Sequence, residues 1–364
     1  MKRLIHFNAN IVTRTSNHHL AGFKRYADFF KIFKSTDAFI DRTGTISIPL
    51  HTKSIFSIPP YRVFEKTYED ICNERAVDLL RHAEKSGRTL YVFWSGGIDS
   101  TLVLTSLLKY ATPLQKKNII ALMSEESIAE NPNFYRDHIH GKLRVESSVR
   151  FPYILGDEHV LVSGELNDQL FGSELMGTLM ERFGNTVPHN PYNRDMFITF
   201  FSEKIGDMEA AVWYVDLFEH FMKSAPVSLS TNHDFIWWIT FAGKWQEVYM
   251  RMISYVASRN AHCITKEYLA SHYFAFFNTD DFQLWSMNNL DKKIKDEWRT
   301  YKWPAKKIIY NFTKDANYRD NKTKRGSLYN LLYLQTPYHL IDDSMHFHRE
   351  NDLTQYHNPD NDFA

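Results

Sequence analysis

YVFWSGGIDSTLVLTSLL, residues 91–108, is the stretch on which the fold reading turns. Tyr91, Val92, Phe93 and Trp94 are strand formers. Gly96 and Gly97 break the run, one acid and two hydroxyls follow (Asp99, Ser100, Thr101), and Leu102 to Leu108 read as a helix. A strand that passes through a glycine turn into a helix is a place where ligands bind in open α/β sheets, beyond the carboxyl ends of the strands. Glycines let the backbone take positive φ and let a ligand come close. The helix start offers unpaired N–H groups and the positive end of its dipole. Ser95, Ser100 and Thr101 add hydroxyls, and the set suits phosphate. The turn lacks the Lys-Ser/Thr pair of a P-loop and the G-x-G-x-x-G of dinucleotide folds. It carries Asp99 instead, and an acid beside phosphates implies an intervening cation, Mg²⁺.

Working outward, strand and helix alternate. FEKTYEDICNERAVDLLRHAEKSG (64–87) has helical spacing and stops at Gly87. NIIALM (118–123) reads as a strand, NPNFYRDHIHGKL (131–143) as a short helix, and HVLVS (159–163) as a strand. An amphipathic helix follows, with Phe171, Leu175 and Leu179 on one face. This alternation predicts an α/β fold, a parallel sheet with helices on both faces. Three regions are expected. Residues 1–60 form a small β-containing segment, because GTISIPLHTKSIFSIPPYRVF (44–64) reads as short strands and a turn. Residues 61–340 form the main domain, helical and aromatic-rich from about 190, with 234–259 as one long helix. Residues 341–364 form a polar tail.

Composition narrows the partners. The 364 residues are 43% hydrophobic and 24% charged, and 43 Lys+Arg balance 43 Asp+Glu, so no global field favours nucleic acid or anionic lipid. Two cysteines, Cys72 and Cys263, lack metal-type spacing. The N-terminus lacks an apolar signal core, and no run approaches the ~18 apolar residues of a membrane span, so a cytoplasmic location is expected.

The turn SGGIDS resembles the PP-loop of the ATP pyrophosphatases, the superfamily of asparagine synthetase, β-lactam synthetase, GMP synthetase and NAD synthetase. These enzymes cleave ATP between the α and β phosphates and transfer AMP to a substrate oxygen. The resemblance implies ATP and Mg²⁺ as cofactors, with Ser95, Gly96, Gly97, Asp99, Ser100 and Thr101 on pyrophosphate and magnesium and Met123 in the nucleotide-binding set. A second turn, VLVSGELNDQLFGS (160–173), resembles the asparagine synthetase signature S-G-E-G-[AS]-D-E-L-F-G-G-Y. Ser163, Gly164, Glu165, Asp168, Leu170-Phe171 and Gly172 agree. Leu166, Asn167, Gln169 and Ser173 depart from it. Read alone, Gly164 closes a turn and Asn167 or Asp168 caps a helix. The resemblance implies that Gly164 lies by the nucleotide, that Asp168 joins Asp99 on magnesium, and that Glu165 assists the incoming amine.

In the family a late lysine faces the departing pyrophosphate. DEWRTYKWPAKKIIYNF (296–312) and YRDNKTKRGSLYN (318–330) resemble that region, with Lys324 the first choice, Lys322 the second, and Lys302 and Lys306 as supports. The chain begins Met1-Lys2-Arg3 without the family's glutaminase cysteine, so the expected nitrogen source is ammonia, an amine, or a partner chain that supplies ammonia or presents the substrate. The reaction expected is adenylation of a small-molecule carboxylate followed by amide formation. The alternatives are a nucleobase- or nucleic-acid-modifying enzyme and a non-catalytic nucleotide sensor. Separately, His346, His348 and Glu350 in MHFHRE have a spacing that could bind a metal.

Overall fold

The computed structural model describes residues 2–8, 12–13, 17–33, 38–154, 158–255, 258–323, 340–349 and 352–364. Its strands in chain order are β1 (Leu4–Phe7), β2 (Thr89–Phe93), β3 (Ile119–Met123), β4 (Arg144–Ser147), β5 (His159–Ser163), β6 (Tyr273–Ala275), β7 (Leu340–Asp342) and β8 (Phe347–His348). Contacts divide the chain into two units. One comprises Met1–Tyr61, Asp168–Ser254 and Pro337–Ala364, the other Arg62–Asn167 and Tyr255–Thr336.

The second unit is α/β. Its sheet has the order β4-β3-β2-β5-β6, all parallel. β2, β3 and β5 are almost wholly buried, as expected of inner strands of a parallel sheet covered by helices. β4 (RVES) lies at an edge and is mostly exposed. The helix Tyr68–Ser86 begins at a capping box between Thr67 and Asp70 and ends on Gly87 in the left-handed conformation. The strand order runs outward both ways from β2, so the chain reverses direction between β2 and β5. This is the topological switch point, where a crevice opens beyond the strand ends.

The first unit holds the antiparallel sheet β1-β7-β8 and a helical, aromatic core. Tyr26, Phe29, Phe39, Phe218, Phe235 and Trp238 are buried in it.

Four expectations are corrected. Residues 44–64 form no strand and make only isolated bridges, Leu4↔Thr52 and Leu50↔His357. Pro49, Pro59 and Pro60 have no N–H for a ladder, and Asp41 instead gathers the backbone N–H groups of Thr43, Thr45 and Ile46 at 2.6, 2.6 and 2.8 Å. The N-terminal residues group with 168–254 rather than standing apart. Residues 341–364 are no polar tail, because β7 pairs with β1 and Leu353, Tyr356 and Phe363 are buried. The helices at 167–183 and 234–259 are each interrupted, at Gly172 (φ +110°) and at Lys244. Among the described residues no helix is long and apolar enough to cross a membrane.

Candidate active site at the switch point

β2 ends at Phe93 and the chain turns through Trp94 to Gly97 into the helix Ile98–Tyr110. Gly96 takes φ +74°, and a Cβ there would stand 2.4 Å from the carbonyl oxygen of Ser127. Only glycine fits both the conformation and the space. Gly97 is the N-cap of the helix, and no side chain caps it, so the helix start presents the positive end of its dipole at the turn. The hydroxyls knit the turn. Ser95 N donates to Ser100 Oγ at 3.0 Å, the two serine hydroxyls are 3.0 Å apart, and Gly97 N donates to Ser95 Oγ at 3.4 Å. Thr101 is buried and accepts from Trp94 Nε1 at 3.2 Å, so its hydroxyl serves the scaffold.

The turn after β5 lies against this one. A Cβ on Gly164 would come within 2.9 Å of Ser100 N and 3.0 Å of the Asp99 carbonyl carbon. Glu165 follows, half-buried. Leu166, buried, takes φ +79°. A bulky residue in that region is strained by about 1–3 kcal/mol. The signature's glycine is thus replaced by a leucine in a conformation that glycine favours. Asn167 does not act as a cap. Its Nδ2 donates to Asp99 Oδ1 at 2.6 Å and its Oδ1 accepts from Tyr68 OH at 2.5 Å.

Asp99 is the hub of the turn. Lys302 Nζ donates to its Oδ1 at 2.7 Å and to its Oδ2 at 2.6 Å. The Lys302 side chain is fully enclosed, and its backbone is held at φ +59° just ahead of the helix Trp303–Thr313. The oxygens that a magnesium ion would use are occupied by an ammonium and an amide. A carboxylate offers about four lone-pair sites, so these hydrogen bonds do not by themselves bar a cation. The donor set around the turn fits phosphate, and Asp99 keeps the oxygen chemistry that a cation beside phosphate would use. Asp168, expected beside it, sits in the first turn of the helix Asn167–Phe171 and groups with the other unit.

Two further lysines converge. Lys322 pairs with Glu130, whose Cβ would lie 2.8 Å from a Cβ on Gly96. Lys306 is buried and donates to the carbonyls of Arg299 and Lys322. Burial, and then the nearby charges of Lys322, Lys302 and Arg299, lower its pKa to about 8. Tyr318 OH donates to the Gly96 carbonyl at 3.2 Å, and burial pushes its pKa up. Met123 is the last, buried residue of β3. Lys324 lies outside the described residues, so the first-choice lysine is neither joined to the site nor separated from it. Sequence reasoning missed Tyr68, Glu130 and Tyr318, which bear no local motif. It assigned Lys302 a supporting place rather than the partnership with Asp99.

Lys306 yields a pH prediction. Its folded pKa of about 8 lies below the ordinary lysine value of about 10.4. Between these values the unfolded chain binds more protons, so Lys306 makes stability rise with pH through that window. Urea midpoints from pH 8 to 10 are expected to rise more in the wild type than in Lys306→Met. Equal slopes would show that Lys306 holds its proton like a solvated lysine.

No protein-family model matches this sequence, and no curated protein matches it.

Proposed function

We propose that this chain is an ATP-dependent synthetase of the PP-loop type, which adenylates a carboxylate and passes the acyl group to ammonia or an amine. The observation that carries the reading is a glycine turn at the switch point of a parallel sheet, with Lys302 on its Asp99 and Lys322 on Glu130 beside Gly96. Burial and the nearby charges of Lys322, Lys302 and Arg299 lower the Lys306 pKa, so that this cation gains from a polyanion, and pyrophosphate departing from ATP is one. Ser95, Gly96, Gly97 and Ser100 would hold the β and γ phosphates through backbone N–H groups and hydroxyls. Lys322 and Lys306 would meet the charge that builds as the α–β bond breaks. Lys302 neutralises Asp99, so that no carboxylate repels the phosphates. Glu165, in the adjoining turn, would take the proton of the attacking amine. Magnesium would enter with the nucleotide's phosphates and add positive charge there, with Asp99 as a candidate oxygen ligand.

The test is the product pattern with ATP across a panel of carboxylates and amines. AMP and pyrophosphate are expected, and ADP and phosphate as sole products would remove the assignment. The engagement of Asp99 by Lys302 also favours a second reading, a subunit that binds nucleotide without turning it over. Stoichiometric ATP binding with no product across the panel would select it.

A further inference from the structure

We propose that Asp342, His346 and His348, on the β7–β8 hairpin, form a binding site for a borderline divalent transition-metal ion such as Zn²⁺. The three residues bring a carboxylate and two imidazoles together, one ligand atom from each lying within 4.8 Å of the others. The His346 and His348 ring centroids are 4.2 Å apart. His348 Nε2 and Asp342 Oδ2 are 3.0 Å apart. Zinc holds nitrogen and oxygen ligands at about 2.0–2.2 Å, which puts tetrahedral ligand edges at roughly 3.3–3.6 Å. A small adjustment of two side chains therefore admits the ion, which replaces the proton that His348 and Asp342 share.

The carboxylate is oriented as ligating carboxylates are. Its other oxygen, Oδ1, accepts from Ser344 N at 3.0 Å, Ser344 Oγ at 2.6 Å and His346 N at 3.0 Å. Asp342 is buried while His346 is exposed, so the site has a fixed floor and an open mouth. Burial alone would raise the Asp342 pKa. Hydrogen bonds from His348, Ser344 and the His346 backbone outweigh it and hold the value at about 2. Two imidazoles with one carboxylate select Zn²⁺, Co²⁺, Ni²⁺ or Cu²⁺ over Mg²⁺ or Ca²⁺. Three protein ligands leave a coordination position for water or another donor.

The test is calorimetric titration of the full chain with Zn²⁺, repeated with Co²⁺ to read the visible spectrum of the bound ion. The chain has 17 histidines, so a subtractive comparison is needed. His346→Ala removes an exposed ligand that the fold does not need, and His18→Ala, at another exposed histidine, is the control. One ion per chain is expected, with affinity reduced by about 10–100-fold or more in His346→Ala, the scale for disturbing a metal site, and unchanged in His18→Ala. Melting temperatures in EDTA should match for all three proteins. Affinity in His346→Ala within about twofold of wild type, or no stoichiometric binding at micromolar protein, would overturn the proposal.

Discussion

Asp99→Ala is expected to remove about 3–5 kcal/mol of stability, the scale for stranding a buried charge by deleting its partner. Lys302 is wholly enclosed, and it forms an ion pair with Asp99 at 2.6 Å. Without the carboxylate, the enclosed ammonium loses its bidentate ion-pair partner. A domain has about 5–15 kcal/mol in all, so much of the fold's margin goes with it. Lys302→Met should cost less, because Asn167 still donates to Asp99 and the carboxylate is partly exposed. The double variant should recover part of the loss, since neither charge is then unpaired. Urea midpoints for the four proteins measure this. A loss below about 1 kcal/mol in Asp99→Ala would mean that the pair is solvated and contributes little to the fold.

Glu165→Gln is expected to slow product formation at least ~10²-fold, the usual scale for losing a general base, while leaving pyrophosphate exchange into ATP intact wherever the wild type shows it. Adenylation and amine attack are separate steps in the proposed reaction. The first depends on the cations around the glycine turn, because charge grows on the leaving pyrophosphate. The second needs a proton acceptor, and Glu165 lies in the turn that packs on Asp99 and Ser100. Glutamine keeps the size and loses the basicity. Lys322→Ala should behave oppositely and lose exchange together with product. Unchanged product formation in Glu165→Gln would reduce Glu165 to a turn residue.

The glycine turn was legible in the sequence because its chemistry is local. Gly96 is required by a backbone angle and a contact, and its hydroxyl neighbours bond within six residues. The buried strands were legible for a similar reason, since inner parallel strands read as continuous apolar runs. β4 and β6 were not. RVES is polar, and YFA is too short to signal a strand, so only pairing to β3 and β5 makes them strands. The alternation in residues 44–64 misled, because proline removes the donors that a ladder needs. The partner of Asp99 was beyond any local pattern, as Lys302 lies 203 residues away. Its role follows from the fold that brings the helix Trp303–Thr313 to the turn. Lys322 was singled out by resemblance, and its neighbour Glu130 by nothing in the sequence.

The proposed function requires that a polyanionic nucleotide bind at the switch point between β2 and β5. Equilibrium binding of pyrophosphate and of ATP to the wild type, Lys322→Ala and Lys306→Met tests it most directly, because it needs no knowledge of the acyl substrate. The two ligands are expected to compete for one site, and each variant to bind both at least about tenfold more weakly, a loss of roughly 1.4 kcal/mol or more. Equal affinity in all three proteins, or no binding of either ligand at millimolar concentration, would contradict it.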